Sequence, residues 1–152
     1  MSRIAALLAL SLLASGSAFA NVPDPVDVSG QARRGQAAVI AQGHAGRRMA
    51  DGGRVELNSD TAASADLPLG TTARIRNLRN GRVAMVRVRD RLPASEGRIV
   101  SVTPKVAGML GMGSVTQVEV APLAVPQRDG TIRLGSGTRL TGRRAYITDP
   151  AR

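Results

Sequence analysis

Residues 67–93 read LPLGTTARIRNLRNGRVAMVRVRDRLP, and the Asn80-Gly81 pair at the centre decides the fold class. Asn-Gly supplies the positive φ at both central positions of a type I′ turn, so TTARIRNLR and RVAMVRVRD are expected to close into a β-hairpin. With a two-residue loop, Ile75 falls opposite Val86, Ala73 opposite Val88 and Asn77 opposite Ala84, which makes one apolar face. Arg74 then faces Arg87 and Thr72 faces Arg89 on the other side. Like charges directly opposite are unfavourable, so that face must be solvated or matched by an anion. Asp90 shares the parity of Ala84, Val86 and Val88 and therefore points from the strand end toward the core side, an unusual place for a carboxylate.

Working outward, Arg91–Gly97 reads as a loop and Arg98–Val102 as a strand. Thr103 is placed to cap a helix with Pro104 in its first turn, running to a stop near Gly111. VTQVEVA, 115–121, is another strand. On the N-terminal side QAAVIAQ, 36–42, has the look of a short buried strand, 43–54 is a glycine-rich loop, and Val55-Glu56-Leu57 returns as a brief strand. Residues 21–33 are proline-bearing and without period, as in an extended linker. Residues 122–152 hold one further hairpin-like stretch, TIRLGSGTRL. Many short strands with one helix suggest a small closed β structure.

The 152-residue chain opens with Arg3, the apolar run Ile4–Leu13 and Ala18-Phe19-Ala20, the pattern of a cleaved export signal leaving a mature chain from Asn21. Ser11, Ser15, Gly16 and Ser17 interrupt the run, so no stable membrane span is expected after cleavage. With no cysteine and His44 the only histidine, lipid attachment at a cysteine, disulfides and zinc or iron sites have nothing to be built from, and neither a metal nor another cofactor is expected. The net charge of +10 draws the protein to polyanions. Nucleic acid is not the expected partner, because export removes the chain from it and Tyr146 is the only aromatic after cleavage, too few for base stacking. Peptidoglycan, anionic lipid or lipopolysaccharide remain, beside the plain reading that arginine merely keeps the protein soluble.

The run over residues 67–124 resembles the barrel domain of RlpA-like (rare lipoprotein A) proteins. Leu67-Pro68-Leu69-Gly70-Thr71 is similar to that family's leucine-proline-aromatic-glycine-threonine, Asn77-Leu78-Arg79-Asn80-Gly81-Arg82 to its hairpin, and Asp90-Arg91-Leu92-Pro93 to its aspartate-arginine-glycine-proline loop. Gly97-Arg98-Ile99-Val100 and Leu110-Gly111-Met112 continue the register. A weaker match reaches back to Gly35, about 90 residues in all. The resemblance implies a mainly β fold, a small six-stranded double-psi β-barrel with one or two short helices. It divides the chain into a signal peptide at 1–20, a linker at 21–33, the barrel at 34–124 and a C-terminal extension at 125–152.

For active members the resemblance also implies lytic cleavage of peptidoglycan glycan strands, in which one carboxyl group can serve as acid and then base. The chain departs from the pattern in several places. The family's threonine-alanine-asparagine-glycine-glutamate falls on Met49-Ala50-Asp51-Gly52-Gly53, so Gly53 stands where the functional glutamate would be. Ser64 stands where the family has a histidine, and Val39-Ile40-Ala41 where it has tryptophan-tyrosine-glycine. Asp90 is the remaining polar site position. Its alternative role is structural, accepting backbone N–H groups at the barrel end. Glu56 and Asp66 are possible displaced substitutes or simply solvated acids, His44 sits in a loop like the family's histidine-glycine loop, and Met109 and Met112 read as helix packing. Arg74, Arg76, Arg87, Arg89 and Arg91 are candidate glycan or anion contacts. The resulting expectation is an exported, periplasmic protein that binds peptidoglycan glycan strands or other envelope polyanions with catalysis reduced or absent. The alternatives are an active lytic transglycosylase using Asp90 alone, and a basic scaffold at an anionic membrane.

Overall fold

A computed structural model describes residues 26–93 and 97–139; the leader read at residues 1–20 and Tyr146 lie outside them. Strand alternation organises what is seen. In Val83–Arg91 the side chains of Ala84, Val86, Val88 and Asp90 are buried while Val83, Met85 and Arg87 are exposed, the period of two that a half-buried strand requires. Among the described residues seven strands form: β1 (Arg33–Val39), β2 (Thr61–Ser64), β3 (Thr72–Asn77), β4 (Val83–Arg91), β5 (Arg98–Val102), β6 (Val115–Pro126) and β7 (Ile132–Leu134). They pair in the order β1-β5-β2-β4-β3-β6-β7, and β1 also pairs with β6, so the first six close into a barrel. Closure removes the free edges that an open sheet would present.

The ring has internal symmetry. Exchanging β1 with β4, β2 with β5 and β3 with β6 returns the same order, and it maps the parallel pair β1–β5 onto the parallel pair β2–β4. Two interlocked three-strand halves of this kind make a double-psi β-barrel, as expected.

An α-helix, α1 (Pro104–Leu110), lies between β5 and β6. Thr103 caps it, its Oγ1 accepting from the N–H of Val106 at 3.3 Å, and Gly111 ends it in the left-handed region at φ 60°. Val106 and Leu110 are fully buried against Ile75, Val86, Val88, Val102 and Val118. Burial of each such side chain contributes about 1.5–3 kcal/mol. Much of the remaining barrel interior is alanine, at 37, 62, 73 and 84, which suits the narrow lumen of six strands.

The hairpin differs from expectation by two residues. Ile75 pairs with Ala84, Ala73 with Val86, Thr72 with Arg87 and Arg74 with Met85. A shift of two preserves which face is apolar, but Arg74 no longer opposes Arg87 and Thr72 no longer opposes Arg89. The cause is the turn. Gly81 alone has positive φ, at 74°, and the Gly81 and Asn77 N–H groups bond to Asn77 O and Arg82 O, making a four-residue loop instead of a two-residue one.

Four further points differ from the sequence reading. Thr61-Ala62-Ala63-Ser64 forms β2, a central strand between β4 and β5, although nothing local marks it. Val55-Glu56-Leu57 does not form a strand; Val55 is buried, and Arg48 and Arg54 instead make an isolated bridge within a folded loop. The first strand starts at Arg33 and ends at Val39. Within the described part of TIRLGSGTRL, 131–139, no internal hairpin forms: Ile132–Leu134 pairs with β6, and Ser136–Thr138 makes a 3-10 turn.

Candidate functional site

At the end of β4 the inward parity delivers Asp90 to the rim of the barrel, opposite Ala63 of the parallel neighbour β2. A β-bulge between Ala62 and Ala63 adjusts the register there. The loop 46–55 folds over this rim. Its Ala50 N–H donates to Asp90 Oδ1 at 2.9 Å, the Arg91 N–H donates to the same oxygen at 2.9 Å, and Arg47 Nη2 donates to Oδ2 at 2.6 Å. Asp90 is 6% exposed, so these three donors satisfy a carboxylate that solvent barely reaches.

Asp90 is not sealed off. It lines a groove of about 520 Å³ with Val39, Ile40, Ala41 and Ala63 on the apolar side and His44, Arg47, Arg91, Arg98 and Ser101 among the polar groups. The positions that resemble the family's aromatic cluster, Val39-Ile40-Ala41, thus do face the groove, carrying small side chains in place of stacking rings.

The other candidates are dispersed. Gly53 is absent from the groove lining. A Cβ there would meet Arg89 Nη2 at 2.3 Å, so that position points to the opposite face of β4. Ser64 is 1% exposed, and its Oγ accepts from the Leu67 N–H at 3.1 Å, closing the turn after β2. Asp66 pairs with Arg33 beside a separate small cavity, and Glu56 is exposed. Neither enters the groove.

Some of the arginines on the outer face are paired with acids. Arg76 and Arg34 both hold Glu119, at 3.3 and 3.1 Å, and Arg89 Nε holds Asp51 Oδ2 at 2.6 Å. That guanidinium, followed by the Gly53 N–H, draws the Asp51 carboxyl below its usual range. Arg87 is exposed, and Arg74 borders a shallow cleft with Val83, Met85 and Met109. Arg91 donates through Nη1 to the carbonyl oxygen of Leu67 and also lines the groove. Met112 packs on the core as expected, whereas Met109 is 42% exposed.

Arg47 and Arg98 were not singled out by sequence. Arg47 lies 43 residues before the acid it holds, and its only signal was its place in the glycine-rich loop 43–54 near His44. Arg98 was visible only as part of Gly97-Arg98-Ile99-Val100. Among the described residues no cluster of three or more His, Asp or Glu side chains forms.

No family model matches the chain. Over 115 residues it is 37% identical to the probable endolytic peptidoglycan transglycosylase RlpA of Nostoc sp., covering 74% of this chain and 31% of that protein. Over 117 residues it is 33% identical to the endolytic peptidoglycan transglycosylase RlpA of Escherichia coli, covering 77% of this chain and 31% of that protein. The chain therefore spans about a third of the length of these relatives. Among solved structures, an expansin of Clavibacter michiganensis is similar at a TM-score of 0.46 and 16% identity, over 60% of this chain and 50% of that one. The resemblance read from residues 67–124 is thereby matched by sequence identity to RlpA proteins over about three quarters of this chain.

Proposed function

Starting from an RlpA-like double-psi β-barrel, we propose that this protein works on the cell wall by binding peptidoglycan glycan strands in the groove beside Asp90, with lytic cleavage reduced or absent. The observation that carries this reading is the state of Asp90. It is the only carboxylate among the described residues that line the groove, and Arg47 and two backbone N–H groups occupy it. A general acid must give up a proton, whereas three of this carboxylate's roughly four acceptor sites already take hydrogen bonds.

A groove with no stacking aromatic among the described residues that line it holds sugar through hydrogen bonds and charge, which suits reversible association. The export leader read at residues 1–20 would deliver the barrel to the periplasm, where the sacculus lies. Fractionation of cells with N-terminal sequencing of the product tests that placement, and retention of Met1 in a cytoplasmic product would overturn it.

One feature favours a second reading, an active lytic transglycosylase. Asp90 lines an open groove, and Arg47, with 52% of its side chain exposed, is free to swing off Oδ2. The Asp90 carboxyl would then give its proton to the glycosidic oxygen as the C–O bond breaks. Its carboxylate would take the proton of the same sugar's 6-hydroxyl as that oxygen closes on the anomeric carbon. The products are a 1,6-anhydro sugar end and a free hydroxyl, with no water consumed.

One assay separates the two readings. Purified protein is incubated with sacculi, and both the pellet and the soluble fraction are analysed. Pelleting without release of anhydro-muropeptides is expected; release that disappears in Asp90→Asn would establish the enzyme, and the absence of both pelleting and release would defeat both readings.

A further inference from the structure

The groove is more basic than a neutral sugar requires. Arg47, Arg91 and Arg98 line it together with His44, three guanidinium groups against the single carboxylate of Asp90 among the described residues. Two of the three are engaged, Arg47 with Asp90 and Arg91 with the carbonyl oxygen of Leu67. Arg98 differs. It stands at the start of β5, opposite Gln36 of β1, and its Nε is buried without a hydrogen-bond acceptor among the described residues. A buried N–H on a charged group is costly when left unsatisfied, and exceptions to pairing ask for an explanation. Arg98 also lines the groove, which is large enough to admit a ligand that brings an acceptor to this side chain.

The chemistry of that acceptor follows from the donor. A guanidinium presents a planar fork of N–H groups that matches the two oxygens of a carboxylate, and it does so best where water is partly excluded. We propose that the groove is a carboxylate-recognition site, in which Arg98, with Arg91 beside it, binds a carboxylate carried by the glycan. This rests on the peptidoglycan reading above and names the group recognised. Two carboxylates on that polymer have the required chemistry: the lactyl carboxylate exposed on a muramyl sugar when its peptide is removed, and the free carboxylates of the stem peptides. Asp90, held by Arg47 and two backbone donors, then forms the acidic wall that orients the bound group toward Arg98.

The test uses the purified full chain and five probes. They are intact sacculi, amidase-stripped glycan strands, each of these after carbodiimide coupling to methylamine, and chitohexaose, which carries no carboxylate. Amidation is expected to weaken binding of the sacculi or the stripped strands at least tenfold, and the more affected of the two identifies the source. Arg98→Gln should produce the same tenfold loss on the untreated polymer, make binding insensitive to amidation and leave chitohexaose unchanged. Arg79→Gln, on the exposed hairpin loop, controls for the general positive field and should have little effect.

Equal binding of native and amidated polymer would overturn the proposal while leaving glycan binding intact, and needs no variant to be folded. Equal losses in Arg98→Gln and Arg79→Gln would overturn it too, since that is the signature of net charge alone. Failure of every probe to bind would remove the peptidoglycan reading together with this one.

Discussion

Arg47 Nη2 lies 2.6 Å from Asp90 Oδ2, tying the loop after the first strand to the end of the fourth. The two partners are unequal: 52% of the arginine side chain is exposed and 8% of the aspartate's. A cation so wetted is screened by salt and contributes little, while the acid it touches depends on its backbone donors for order. Arg47→Ala is therefore expected to cost about 1 kcal/mol or less. Asp90→Ala, which strands the Ala50 N–H and frees Arg47, is expected to cost roughly 3 kcal/mol from lost charged hydrogen bonds. Urea unfolding measures both, and equal costs would mean that the pair is locked and unable to open for catalysis.

Putting a glutamate back at Gly53 tests whether the missing family side chain is enough for chemistry. The new Cβ would press on Arg89 Nη2, the movable end of a long side chain, so the variant should fold with a loss of about 1 kcal/mol as the Arg89–Asp51 pair opens. Its carboxylate would emerge on the Arg89 face, away from the groove wall lined by Asp90. Gly53→Glu is expected to release no more anhydro-muropeptide than the parent, and a clear gain would show that loop 46–55 can repack to bring two acids together.

Asn77 joins the hairpin to the helix. Its Nδ2 donates to the carbonyl oxygen of Leu110 at 3.0 Å, one of the acceptors that every helix leaves unpaired at its C-terminus, and its Oδ1 accepts from the Arg79 N–H at 2.9 Å. Asn80 donates to the same Leu110 oxygen at 3.0 Å, but from a more exposed position. Asn77→Ala should cost about 2–3 kcal/mol and Asn80→Ala about half a kcal/mol to 1 kcal/mol, compared by thermal unfolding. The reverse order would place the hairpin's anchor in its turn instead of its strand.

These contacts explain where the sequence was legible and where it was not. Parity along β4 is a local property, so the inward direction of Asp90 and the apolar face of the hairpin were readable from alternation alone. Register was not, because the buried Asn77 amide is drawn to the helix end 33 residues away and the turn adapts to it. β2 was unreadable for the same kind of reason. Thr-Ala-Ala-Ser has no strand signature, and its conformation comes from ladders to β4 and β5 on both sides. The groove's charge was equally hidden, since Arg47 and Arg98 meet Asp90's surroundings only after the barrel closes.

Acid sensitivity should have a component from Asp51. Its folded pKa is lowered by the Arg89 hydrogen bond and the Gly53 N–H, so its stabilisation is complete above the ordinary value of 3.8 and disappears as pH falls through the lower folded value. For a solvent-exposed pair the amount is under about 1 kcal/mol. Unfolding curves at pH 7 and at pH values below about 4 should therefore show a smaller acid loss for Asp51→Asn than for the parent, with the gap shrinking in high salt. An identical acid loss in both proteins would mean that the pair is not formed in solution.

The segment after β6 is expected to act as a structural part of the barrel. Gly135 N–H donates to Leu123 O at 2.9 Å and Ser136 N–H to Gly30 O at 2.7 Å, so this segment clamps the chain before β1 onto β6. A Cβ at Gly137 would meet the backbone oxygens of Ala121 and Pro122 at 2.5 and 2.8 Å, and backbone cannot yield as a side-chain tip can. Gly137→Ala should cost about 1–3 kcal/mol through overpacking. Gly113→Ala, where the added methyl meets nothing within 4 Å, should be neutral or slightly stabilising. If the two variants melt together, the residues beyond Pro126 contribute no fixed packing and glycan binding should survive their removal; a clear separation predicts that truncation there weakens the barrel and the groove with it.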